Sequence, residues 1–210
     1  SIMRLIKDPI KSFMNHIVLA LFILITPGAT AQPIQARGFH YTLTYLPDSM
    51  RTNAYAKENF VLLVEDTMSY FSSINYLKMG EVFQQLGKNA KNQNQINTRG
   101  TKLPLTGFMF RIYHFPLRGV TIQALDMISN AYGIEYPSLN WQISAETQTI
   151  NNIFTQKAKL YFGGRNYEAW FAPSIPIPDG PYIFKGLPGL IIKISDDRNN
   201  YSWELASISD

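Results

Sequence analysis

Cysteine is absent from all 210 residues. No disulfide framework, thiolate nucleophile, thiolate metal site or lipid-bearing cysteine can therefore be built, and a folded domain of this size must be held by its core alone. Histidine is nearly as scarce. Only His40 and His114 lie beyond the first 31 residues, about seventy positions apart, so a metal or acid/base pair would need the fold to bring them together. No serine stands in a G-x-S-x-G turn, which removes the usual strand-to-helix nucleophile. No second apolar run of spanning length follows residue 31, so no transmembrane segment is expected in a mature chain. Charge of one sign is lacking too. The formal net charge of +4 falls to +2 once Arg4, Lys7 and Lys11 are set against Asp8 and residues 1–31 are put aside. That is too little, and too scattered, for nucleic acid or an anionic membrane surface.

What is present begins with a leader. Arg4, Lys7 and Lys11 form a basic head, Ile17 to Ile25 an apolar stretch about half the length of a membrane span, Pro27-Gly28 a break, and Ala29-Thr30-Ala31 a small-residue cleavage site. Residues 1–31 thus read as a signal peptide, cut before Gln32, and the product is expected in the periplasm or outside the cell. Residues 32–210 read as one β-rich domain, because neither a linker nor an internal repeat divides them.

Abundant Tyr, Phe and Thr favour strands, and many prolines favour turns. Phe39, Tyr41, Leu43 and Tyr45 alternate with small polar residues, the pattern of a half-buried strand. Phe60 to Val64 is a continuous apolar run leading toward Tyr70-Phe71. Leu77, Met79, Val82, Phe83 and Leu86 recur at threes and fours between Asn75 and Gly87, which predicts one short helix capped at those two ends. Residues 88–100 are polar and Asn/Gln-rich, a loop composition. Strands are predicted at Phe108 to Phe115, Val120 to Ile128, Asn140 to Ser144, Thr149 to Phe162, Tyr167 to Ala172, Leu190 to Ser195 and Tyr201 to Ser207. Gly119 and Gly163-Gly164 sit at the turns. Many adjacent strands, one helix and no βαβ alternation predict a mainly β fold, a single curved antiparallel sheet or a partly open barrel. Tyr201, Trp203, Leu205 and Ile208 promise more sheet close to Asp210, which suggests a C-terminally truncated product whose last strand is an unprotected edge.

The stretch Gly186-Leu187-Pro188-Gly189-Leu190-Ile191, preceded by Asp179-Gly180-Pro181, bends the chain sharply before a buried strand. Trp141-Gln142-Ile143, Gln156-Lys157-Ala158, Gly164-Arg165-Asn166-Tyr167, Ala169-Trp170-Phe171 and Pro176-Ile177 precede it in order. With them the chain resembles the GLPGLI family of secreted bacterial proteins. The resemblance makes Asp179, Gly180, Gly186, Pro188 and Gly189 structural signature positions. It implies an exported, β-rich protein of a Gram-negative envelope, and it brings no established activity. Thr155 stands where many members carry a cysteine, so a role tied to that thiol is absent here.

Within the chain, Gly163 to Ile191 is the segment most able to bind something. Arg165, Tyr167 and Trp170 precede a loop stiffened by Pro173, Pro176, Pro178, Pro181 and Pro188, and Tyr182 and Phe184 follow within it. A rigid loop with aromatics and an arginine can hold an apolar or planar ligand, or dock on an outer-membrane protein, at low entropy cost. The alternative is that Trp170, Tyr182 and Phe184 plug the core while Arg165 pairs with a neighbouring carboxylate. Asp196, Asp197, Asn199 and Asn200 carry oxygen ligands without the spacing of a calcium loop, and Glu65-Asp66 reads as a strand-end pair. No cofactor and no catalytic residue are assigned. The sequence therefore points to a non-enzymatic binding protein with a lipid-like ligand or a protein partner. A secreted hydrolase, or an accessory domain to one, is the alternative, and it would require an Asp or Glu to share a cleft with His40 or His114.

Overall fold

Alternating aromatics make strands, and strands must find neighbours. The computed structural model describes residues 37–47, 54–89, 100–126 and 131–209. The expected signal peptide with its expected cleavage site, and most of the Asn/Gln-rich loop, lie outside them. Eleven strands appear: β1 (Arg37–Tyr45), β2 (Ala56–Val64), β3 (Ser69–Ser73), β4 (Phe110–Phe115), β5 (Val120–Asp126), β6 (Ala131–Tyr136), β7 (Gln142–Ile150), β8 (Ile153–Phe162), β9 (Arg165–Ala172), β10 (Leu190–Asp196) and β11 (Tyr201–Ser209). One α-helix, α1 (Ile74–Asn89), follows β3. No helix among the described residues is long and apolar enough to cross a membrane.

All the strands join one antiparallel sheet in the order β6-β5-β4-β3-β2-β1-β11-β10-β9-β8-β7. The sheet is two meanders sewn together where β1 pairs with β11, and it does not close into a barrel. Its curvature follows from connectivity. Consecutive strands β6 and β7 are the two outer edges, and Tyr136 and Gln142 lie six residues apart, a reach of at most about 22 Å. Laid flat, eleven strands would hold those edges about 48 Å apart. The sheet must therefore curl until its edges nearly meet.

Several local expectations change. The apolar run from Phe60 is two strands, because Glu65 N–H bonds to Met68 C=O and turns β2 back into β3. The helix starts one residue before Asn75. Ser73 Oγ accepts the Tyr76 N–H and acts as the cap, while the Asn75 amide reaches Leu105 C=O. Gly87 falls inside the helix rather than ending it. The break between β7 and β8 is at Asn151-Asn152, both at positive φ, so the expected strand from Thr149 is split in two. Strand β6 was not expected at all. The last strand is no edge: β11 lies mid-sheet between β1 and β10.

One face of the sheet is apolar. Phe39, Tyr41 and Leu43 of β1, Phe60 and Leu62 of β2, Phe71 of β3, Ile112 of β4, Trp203 and Leu205 of β11, and Phe171 of β9 are all buried. Phe60 stacks on Phe71 at 5.2 Å, and Trp203 meets both rings edge-on. The other face carries the alternate residues, polar for the most part, with Val61, Leu63, the Tyr70–Tyr113 ring pair and Trp170 among them.

Candidate functional site

The concave face is occupied by the chain itself. Residues 173–189 leave β9, fold back across the inner face and return into β10. Ile183, Phe184 and Leu187 are buried there. The loop and the strand it feeds are fastened at several points. Tyr41 on β1 donates to Ile191 C=O at 2.7 Å, Trp141 Nε1 donates to Lys185 C=O at 2.8 Å, and Tyr182 donates to Gln123 Oε1 on β5 at 3.1 Å. Tyr136 on β6 bonds the same Gln123 oxygen at 2.6 Å. The loop thus ties both halves of the curled sheet.

Two glycines let it sit so close. A Cβ on Gly189 would lie 2.2 Å from Ala172 C=O, and one on Gly180 would lie 2.8 Å from Ile191 and from Phe184 C=O. Both belong to the signature positions, as does Gly186 at φ +93°.

At the centre of the loop, the Asp179 carboxylate meets Lys185 Nζ, with both residues about 95% buried. Ser69 Oγ and the Gly180 N–H donate to the same carboxylate, and Lys185 also donates to Gly180 C=O at 2.8 Å. Burial pulls the Lys185 amine below its ordinary range, while Asp179 opposes that shift. Burial also pushes the Tyr41 hydroxyl well up, helped by the Asp179 charge. Nothing in the sequence pattern marked Lys185 as interior, since lysine is mostly a surface residue.

Of the residues singled out for binding, the structure joins three inside. Tyr167 packs on Phe184 at 4.8 Å, and Tyr182 on Phe184 at 6.0 Å. Arg165 forms an ion pair with Asp196, whose side chain is fully buried, and stacks over Tyr201. Trp170 is separated from all of them. It lies on the outer face, with Lys157 Nζ 5.3 Å above its ring.

His40 and His114 do not converge. His40 alternates with the core residues Phe39 and Tyr41, so it sits on the outer face and meets Ser209 Oγ at 3.3 Å. His114 pairs in register with Ser69 and contacts Thr121 Oγ1 at 3.0 Å. Strands β1 and β4 are three spacings apart, about 14 Å. Among the described residues no group of three or more His, Asp or Glu could hold a metal ion. In the β10–β11 turn, Asp196 is engaged by Arg165 and by the Tyr201 N–H, and Asp197 by the Asn166 amide.

The outer face offers a recess instead. A cavity of about 590 Å³ opens over β7 to β10, floored by side chains that cross-strand register places in rows. Gln142 pairs with Lys159, Lys159 with Glu168, and Glu168 with Ser195, one row over four strands. Beside it, Tyr161 pairs with Asn166, whose amide reaches Asp197 at 2.9 Å. The row on the other side holds Lys157 and Trp170. Lys157 bonds Glu146 at 2.9 Å and Glu168 at 2.8 Å, which raises its own pKa and lowers that of Glu146. Tyr161 is 71% exposed. This platform is assembled from residues up to about sixty positions apart, and only strand register reveals it.

These features define a class: an open, curled, eleven-stranded antiparallel sheet plugged by its own loop. Residues 163–193, which contain β9, the plug and the start of β10, match the family model Porph_ging, described as a protein of unknown function. Nothing among curated proteins matches the chain. Among solved structures the fold is similar to PNGF-II in a C2 crystal form, with a TM-score of 0.55 and 12% identity, covering 83% of this chain and 27% of that one. PNGF-II in a P21 form gives 0.52 and 12%, covering 83% and 28%. The chain therefore corresponds to little more than a quarter of PNGF-II, and the likeness is one of fold.

Proposed function

We propose that this is an exported envelope protein of the GLPGLI type that acts by binding, through the outer face of its sheet, and not by catalysis. The single observation that carries the reading is the filled concave side. With Tyr182 packed on Phe110 and Tyr136, and Ile183, Phe184 and Leu187 buried beside it, the described residues leave the inner face of the sheet filled where an acyl chain would lie. A lipid-like ligand, the first expectation for such a sheet, finds its place taken by Tyr182, Phe184 and Leu187. Among the described residues the outer face offers a recess at the row Gln142, Lys159, Glu168 and Ser195, with Tyr161 at its side. Export rests on the basic head, apolar stretch and small-residue site of residues 1–31. Binding in place of hydrolysis is favoured because His40 and His114 lie on opposite faces, and Asp179, the carboxylate that acts on His114, is buried and committed to Lys185, Ser69 and the Gly180 N–H.

The test is a native mass spectrum of the chain isolated gently from an envelope fraction. The reading expects a ligand mass that disappears on denaturation and is missing from a folded Tyr161→Ala variant. A ligand mass retained by Tyr161→Ala and lost from a folded Tyr182→Phe variant would place binding in the interior and overturn it.

A further inference from the structure

Resting on the outer-face reading, we infer that the platform takes a neutral, hydroxyl-rich ring ligand, that is, a saccharide. Three observations lead there. First, beside the charged Lys159, Glu168, Asp196 and Asp197, the floor carries groups that both donate and accept: the amides of Asn140, Gln142 and Asn166, and the hydroxyls of Tyr161 and Ser195. A sugar hydroxyl has the same double capacity, whereas a phosphate or sulfate needs donors alone.

Second, the charges around the recess are of both signs and largely satisfy one another. Lys157 is held between Glu146 and Glu168, Arg165 pairs with Asp196, and Asp197 accepts from Asn166. Lys159 adds a single ammonium to the floor and acts on Glu146 from a distance, so no cluster of cations is left to attract an anion and no cluster of carboxylates to attract a cation.

Third, Tyr161 presents a ring to solvent within this polar field, with Trp170 two rows further along the same face. The C–H face of a pyranose packs on such a ring while its hydroxyls reach the flanking amides, which is the division of labour that a shallow polar recess with one aromatic plate permits. A fatty acyl chain would gain nothing from the amides, and the recess, open to solvent, would not cover it.

The experiment is calorimetric titration of the folded chain with maltohexaose, cellohexaose, xylohexaose and N-acetylchitohexaose, beside hexagalacturonate and decanoate. Expected is saturable binding of at least one neutral oligosaccharide, weakened about tenfold or more by Tyr161→Ala and unchanged by Tyr182→Phe. No binding by any of the four at millimolar concentration overturns the saccharide inference. If hexagalacturonate or decanoate binds alone and Tyr161→Ala abolishes it, the inference fails while the outer-face reading survives. If a neutral oligosaccharide binds but Tyr161→Ala leaves it intact and Tyr182→Phe weakens it, both fail.

Discussion

Asp179 and Lys185, six residues apart in one loop, form an ion pair buried under the concave face of the sheet. Two charges removed from water are tolerable only together. Asp179→Ala strands the ammonium and should cost about 3–5 kcal/mol in chemical denaturation. The double variant Asp179→Asn with Lys185→Met keeps an acceptor for the Gly180 N–H and leaves no buried charge, so it should be more stable than Asp179→Ala. Equal loss in both would show that an unpaired buried ammonium is not what destabilises Asp179→Ala.

Gly189→Ala should destabilise by about 3 kcal/mol or more, because the new Cβ meets backbone at Ala172 and nothing there is a flexible side chain. Gly107→Ala, with nothing within 4 Å of the added carbon, should change the unfolding free energy by no more than about 0.5 kcal/mol. Similar effects at the two sites would contradict the packing of the loop against β9.

His114 supplies a pH signature. Burial lowers its pKa below the ordinary 6.5, while Asp179 acts upward and Lys185 downward. Between the lowered value and 6.5 the unfolded chain binds a proton that the folded chain does not. Stability should therefore fall as pH drops through that window and level off below it. His114→Gln should flatten this part of the midpoint-versus-pH curve, and an unchanged slope would count against a buried neutral imidazole.

At the other end of the scale, burial raises the pKa of Tyr41, Tyr167 and Tyr182. Above about pH 10 the unfolded chain loses phenolic protons that the folded chain retains, so these groups weaken folding as pH rises. Absorbance near the phenolate band should show delayed ionisation of several tyrosines, released together on unfolding. Titration of all twelve as free phenols in the folded protein would refute their burial.

Much of the fold was legible because period-two alternation is a local signal. Phe39, Tyr41, Leu43 and Tyr45 announce β1, and Gly163-Gly164 announces the β8–β9 hairpin. Strand β6 was not legible, since the alternation of Tyr132, Ile134 and Tyr136 is only three residues long and Gly133 interrupts the side chains between them. The Asn151-Asn152 turn hid because strand-like residues flank it closely on both sides. The burial of Tyr182 and Phe184 was one of two open readings, and only the reach between β6 and β7 forces the curl that makes the loop a plug. Lys185 and the row Gln142, Lys159, Glu168 and Ser195 depend on non-local register, which a single sequence does not carry.

The most direct test of the account is a ¹H–¹⁵N titration of the folded chain with whichever oligosaccharide of the panel binds most tightly. The account predicts shifts concentrated at Asn140, Gln142, Tyr161, Asn166 and Ser195, with the amides of residues 177–187 unmoved. Shifts concentrated in residues 177–187 and around His114 would mean that the loop yields to ligand, and would contradict it.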